Sequence, residues 1–136
     1  MIDDDAGLRR LLQDTRTIAV VGMSANPERA SNEVAQYLRR AGYTIIPVNP
    51  ACAEILGEKC YPSLREVPVP IDLVDVFRKP DDVMPVVEDA IAVGAKAVWL
   101  QLGVIATEAA ARAEAAGLAV VMDHCTKIEH RRLVLG

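Results

Sequence analysis

Five apolar runs, each about six residues long, set the rhythm of the chain. The first, over 17–22, carries Ile18, Ala19, Val20 and Val21 in succession; the others are YTIIPV at 43–48, DLVDVF at 72–77, AVWLQL at 97–102 and LAVVMD at 118–123. Nearly continuous apolar strands of this length are expected in a parallel sheet covered on both faces. Between the runs the apolar spacing changes to three and four. Val34, Ala35 and Leu38 predict a helix running from an N-cap at Ser31 to a stop at Gly42. Val86, Val87, Ala90 and Ile91 predict another that closes at Gly94, with Pro80 and Pro85 near its first turn, and Thr107 to Ala116 forms an alanine-rich helix stopped by Gly117.

The ends and the longest connection are weaker in signal. Leu8, Leu11 and Leu12 predict a short amphipathic helix over about 7–15, preceded by Asp3, Asp4 and Asp5 as a helix dipole favours. A last helical segment over about 126–133 contains His130 and the Arg131-Arg132 pair. In the connection after the second run, Ser63 and Glu66 have the spacing of a capping box for one helical turn. Strand starts near 17, 43, 72, 97 and 118 leave 21 to 29 residues per unit, which suits right-handed βαβ crossovers. The expected fold is α/β: one doubly wound domain over 1–136, with a five-stranded parallel sheet flanked by helices and residues 1–16 as a helical segment packed on it.

Composition narrows the function. At 136 residues with 51% hydrophobic and 25% charged residues, the chain can bury a core without staples. A formal charge of −4, with 15 basic against 19 acidic residues, argues against general nucleic-acid affinity. Cys52, Cys60 and Cys125 are odd in number and form no C-x-x-C pair, so neither a disulfide framework nor a zinc ribbon is expected. The acidic MIDDDAGLRR start is unlike a signal peptide, and no apolar run reaches the roughly 18 residues of a membrane span. A cytoplasmic protein, monomeric or a small homo-oligomer and without a membrane partner, is expected.

In open α/β sheets ligands bind beyond the carboxyl ends of the strands. Those ends offer Gly22, Met23, Ser24, Asn26 and Ser31 after the first strand, Asn49 and Pro50 after Val48, then Arg78, Lys79 and Pro80, then Gln101, and finally Asp123, His124 and Cys125. The G-x-G-x-x-G fingerprint is absent, since positions 24 and 27 are Ser and Pro, and the second strand ends in Val48-Asn49-Pro50 where a dinucleotide site usually has an acid. Both features count against NAD. The Ser24 and Ser31 hydroxyls and free N–H groups at a helix start still suit a pyrophosphate.

The run IAVVGMSANPERASNEVAQYLRRAGYTIIPVNP, followed by ILGEKCYPSL, VDVFRKPDDV, AVWLQLG and VVMDHCTKIEH, resembles the small stand-alone CoA-binding domain proteins. Their Rossmann-like fold is similar to the CoA-binding domain of succinyl-CoA synthetase α subunits, and the resemblance spans about 8–132. It implies coenzyme A or acyl-CoA lying across the strand tips. Gly22, Met23 and Ser24 would approach the diphosphate and Ser31 would cap it; Val48, Asn49 and Pro50 would border the nucleotide, and Arg78, Lys79 and Pro80 would line the other side. The ribose 3′-phosphate needs a cation, for which Arg29, Arg78 and Lys79 are available at the tips. Synthetase-type domains tend to carry a lysine shortly after the second strand, whereas the next lysine here is Lys59. The implied role is a non-catalytic carrier or sensor of CoA; the alternatives are an NAD(P)-dependent oxidoreductase or a CoA-ligase partner subunit acting with a separate ATP-grasp protein. Asp123, His124 and Cys125 are consecutive, so alternation along an extended chain keeps them from forming a triad. The histidine phosphorylated in the synthetases lies in a second domain without a counterpart here, and neither His124 nor His130 matches it. No metal site is expected from the His and Cys spacing, and Trp99 reads as core.

Overall fold

The five apolar runs pair edge to edge in the computed structural model, which describes residues 1–135. They form β1 (Thr17–Val21) and β2 (Thr44–Val48), then, after a small antiparallel hairpin of β3 (Glu54–Ile55) and β4 (Glu58–Lys59), β5 (Leu73–Val76), β6 (Ala97–Leu100) and β7 (Ala119–Val121). The five long strands make a single sheet in the order β2-β1-β5-β6-β7, parallel throughout. The chain steps outward from β1 to β2 and then crosses back to β5 on the other side of β1. The tips of β1 and β5 are therefore the point where the winding reverses, and ligand crevices open at such points.

Strand alternation divides the buried residues between two faces. Ile18, Val20, Leu73 and Trp99 pack with α1 (Asp5–Asp14), α2 (Ala30–Arg40) and the region of α5 (Thr126–His130). Ala19, Val74, Val76, Val98 and Leu100 pack with α3 (Val83–Ala92) and α4 (Thr107–Ala115). Both faces are covered, as continuous apolar runs demand. Trp99 is fully buried and its indole N–H donates to the His124 carbonyl at 2.9 Å, so it is core as expected.

Four local features differ from the sequence expectation. α2 begins at Ala30 with Arg29 as its N-cap, so Ser31 is not the cap; its Oγ instead accepts the Ser24 N–H at 2.9 Å. Ser63 does precede a 3-10 turn, Leu64–Glu66, but makes no side-chain capping bond, and the turn closes through its backbone carbonyl. The β3–β4 hairpin stands where a plain loop was expected. Its two-residue turn needs positive φ at both positions, met by Gly57 and, unusually, by Leu56 at 54°. At the other end α5 stops at His130 and continues as a π-helical turn over Arg131–Leu135. The prolines are accommodated by position: Pro80 opens a 3-10 turn, and Pro85 lies in the first turn of α3, where an N–H has no intrahelical acceptor.

One charge interrupts the apolar sheet. Asp75, in the middle of β5, is completely buried, and its carboxylate accepts from Gln101 Nε2 and from the Thr126 hydroxyl. Burial pushes its carboxyl up from the usual 3.8 to about 7, although both hydrogen bonds act downward. Above the acid range the folded state thus holds a proton that the unfolded chain releases. This contribution to stability is fully present below about pH 4 and is lost as the pH rises to about 7. Gly22 supplies a different constraint. Its φ is +83°, and a Cβ there would overlap the Phe77 carbonyl oxygen, because the Phe77 N–H bonds to Val21 O at 2.9 Å and draws the two strand ends together.

Gly22→Ala is expected to cost on the order of 2–3 kcal/mol through left-handed strain and that overlap, measured as a lower urea midpoint. Asp75→Asn should flatten the loss of stability between about pH 4 and 7, a slope worth a few kcal/mol at about 1.4 kcal/mol per pK unit. Calorimetric melting at pH 4.5 and pH 8 should therefore find the variant gaining on the natural protein only at the higher pH.

Candidate functional site

The loop after β1 is stitched to the first turn of α2 before any ligand arrives. Ser24 N–H donates to Ser31 Oγ, Asn26 N–H to Ser24 Oγ at 3.0 Å and Glu28 N–H to Asn26 Oδ1 at 3.0 Å, while Asn32 Nδ2 donates to the Ser24 carbonyl at 2.8 Å. No side chain caps α2. The Ala30 and Ser31 amides find no acceptor among the described residues, so the positive end of the helix stays open beside Gly22. A hollow of about 340 Å³ lies there, walled by Gly22, Ser24, Arg29, Ala30, Ser31 and Phe77. Its donors and dipole suit a phosphate group.

Two further hollows lie along the strand tips. Toward β2 is a mostly apolar slot of about 150 Å³, with Val48, Pro50, Pro62, Leu64 and Arg78 in its walls. Toward β6 and β7 is a larger cleft of about 650 Å³, bordered by Phe77, Arg78, Lys79, Pro80, Gln101 and Cys125. Phe77 is shared by the cleft and the helix-end hollow, and Arg78 by the cleft and the slot, so the three lie along one tract of strand tips in which the cleft shares a wall with each of the others. Among the described residues Arg29, Arg78 and Lys79 take part in no salt bridge, unlike Arg65, Lys96, Arg112 and Arg132.

Most residues singled out from the sequence meet on this tract, with distinct parts. Met23 is fully buried, backbone included, and so presents no surface to a ligand, and Val48 is 2% exposed. Asn49 is a brace: its Nδ2 donates to the Met23 carbonyl and its Oδ1 accepts from the Ala51 N–H, both at 2.9 Å. Asn26 stays on the exposed outer side of its loop. Gln101 lies in the cleft floor, held by Asp75 and by Thr126. Sequence reasoning passed over Phe77, Ala30, Val34 and Ile128, apolar or small residues whose type carries no chemical signal. Cys60 is buried beneath the brace, its thiol donating to the Asn49 carbonyl at 3.4 Å, and burial pushes that thiol up.

The residues after β7 diverge, as their spacing predicts. Asp123 adopts φ 64° and accepts the Gly103 N–H at 2.7 Å. His124 turns to Asp3 and Glu129, at 3.2 and 3.4 Å, and Cys125 alone faces the cleft. Among the described residues no three His, Cys, Asp or Glu side chains could hold a metal ion, and no helix is long and apolar enough to cross a membrane.

Comparison with known proteins agrees with this geometry. A model of the CoA binding domain matches residues 16–131. The chain is 41% identical to the uncharacterized protein YneT of Bacillus subtilis over 125 residues, which are 92% of this chain and 93% of that protein. It superposes on a hypothetical protein from Pyrococcus horikoshii with a TM-score of 0.94 at 45% identity, covering 97% of this chain and 93% of the other. A shorter stretch of 58 residues, 43% of this chain, is 38% identical to acetate–CoA ligase [ADP-forming] I of Archaeoglobus fulgidus but spans only 8% of that enzyme. With its five-stranded parallel sheet and its likeness to part of a CoA ligase, the chain belongs to the CoA-binding domain family.

Proposed function

We propose that this protein binds coenzyme A, free or as a thioester, along the strand tips and serves as a non-catalytic carrier or sensor. The observation that carries the reading is the set of three unlike hollows along the strand tips: an apolar slot, an open helix N-terminus and a large cleft. Coenzyme A has three matching parts. The adenine occupies the slot near Val48 and Pro50, the diphosphate meets Gly22, Ser24, Ser31 and the α2 amides, and the pantetheine arm follows the cleft past Lys79, Pro80 and Gln101. Of the three cations at the tips, Arg78 borders the slot, so it is assigned to the ribose 3′-phosphate, for which a guanidinium fork is suited. The brace at Asn49 disfavours NAD(P), because the tip of β2 offers a side chain already committed to backbone groups. A carrier is preferred to an enzyme because Asp123, His124 and Cys125 direct their polar atoms to separate partners. The likeness to an acetate–CoA ligase favours one second reading, a CoA-ligating subunit that works with a separate ATP-grasp protein.

Coenzyme A at high micromolar concentration is expected to release heat on titration and to raise the melting temperature, since a ligand that binds only the folded state must do so. Binding of NADP with no response to coenzyme A would refute the proposal. Arg78→Ala should weaken coenzyme A by roughly tenfold to a hundredfold, the worth of a charge-assisted contact. Dephospho-CoA, which lacks the 3′-phosphate, should bind the variant and the natural protein alike.

A further inference from the structure

The floor of the large cleft is a side-chain amide whose orientation is dictated from beneath. Asp75 takes a hydrogen bond from Gln101 Nε2 on one carboxylate oxygen and from the Thr126 hydroxyl, at 3.0 Å, on the other. Because the Thr126 proton is committed to Asp75, Thr126 Oγ1 serves as acceptor for the second Nε2 proton, also at 3.0 Å. Both N–H bonds of Gln101 are thereby used on the inner side. Above about pH 7, where Asp75 is ionised, turning the amide over would set its carbonyl against a carboxylate, acceptor against acceptor. Hydrogen-bond logic thus leaves Oε1 as the outward atom.

That oxygen is available. Gln101 is 4% exposed and lines the cleft, and Oε1 has no partner among the described residues. No side-chain polar atom among them is both sealed from solvent and unpaired, so the little exposure that Oε1 keeps opens to the cleft that Gln101 lines. Few lining groups compete with it. Arg78 and Lys79 can only donate, the Cys125 thiol is a weak partner, and the remaining side chains are apolar.

We propose that Gln101 Oε1 is a fixed acceptor for an amide N–H of the ligand's arm, and that Asp75 and Thr126 are positioning residues that keep it an acceptor. The inference rests on the coenzyme A reading and sharpens it: the pantetheine arm carries two secondary amides, each with one N–H. An arm with an ester oxygen in place of that N–H leaves two acceptors facing each other and is rejected more strongly than one lost contact would suggest. The buried carboxyl in β5 thereby acts on the ligand without touching it.

The test compares two ligands by calorimetry on the full chain at about pH 8, where Asp75 is ionised: coenzyme A, and adenosine 3′,5′-diphosphate, which keeps most of the nucleotide end and has no arm. Gln101→Met is expected to weaken coenzyme A about tenfold and to leave the fragment unchanged. The exchanged pair Asp75→Asn with Gln101→Glu retains one carboxylate, supplies a donor from position 75 and keeps an acceptor in the cleft, so it should restore the preference for coenzyme A over the fragment. An undiminished affinity for coenzyme A in Gln101→Met, an equal loss for both ligands, or no restoration in the exchanged pair overturns the inference while the coenzyme A reading stands. If Gln101→Met does not fold, the exchanged pair decides alone: a retained preference supports the fixed acceptor and a lost preference overturns it. Absence of coenzyme A binding by the natural protein removes both.

Discussion

The first strand ends so close to the Phe77 carbonyl that no side chain fits between them, and the rest of the molecule is arranged around that approach. Gly22 meets it by having no Cβ and by taking a positive φ. The Gly22 N–H then bonds to Val48 O at 2.9 Å, while the Phe77 N–H bonds to Val21 O, so three strand ends are tied at the point where the winding reverses. The open end of α2, the brace at Asn49 and the walls of Phe77 and Arg78 all depend on this knot.

Beneath the knot the fold accepts an unfavourable term. An ionised carboxylate inside a sheet loses solvation that two neutral donors only partly replace, which is why Asp75 holds its proton so far above the ordinary range. A valine at that position would satisfy the strand equally well. What it could not do is grip the Gln101 amide, and the side chains of cleft floor and sheet interior form one hydrogen-bonded unit for that reason.

Much of this was legible in the residues, and the misses have physical causes. The five strands and four of the helices follow from apolar runs and spacing, because burial on both faces leaves little freedom in residue type. The tips followed from topology, which put Gly22, Ser24, Arg78, Lys79 and Gln101 at strand ends where hollows open. Ser31 was misread as a cap because a serine before an apolar helical pattern usually is one; here its oxygen is claimed by Ser24, and the helix end is open as a result. The hairpin was hidden by Leu56, a residue that rarely accepts positive φ. Asp75 was visible as the one acid within DLVDVF after its first residue, but a sequence read strand by strand gives no hint that its partners lie 26 and 51 positions away.

Pro47 carries a consequence for how the molecule behaves among its own copies. It lies in the outermost strand, and Tyr61 donates to its carbonyl at 3.0 Å from the side away from β1, so its missing N–H falls on the rim of the sheet. Tyr61 also bridges Val48 there, closing the rim over its last residues. At the opposite rim the Ile2 N–H bonds to Val120 O at 2.8 Å, and β7 is only three residues long. Neither margin presents a long run of free donors and acceptors to a neighbouring chain, which is the usual template for strand-by-strand aggregation. A parallel sheet made of almost unbroken apolar strands thus meets its neighbours with edges blunted against strand addition, by a ring that lacks a proton and by a few residues folded across each border.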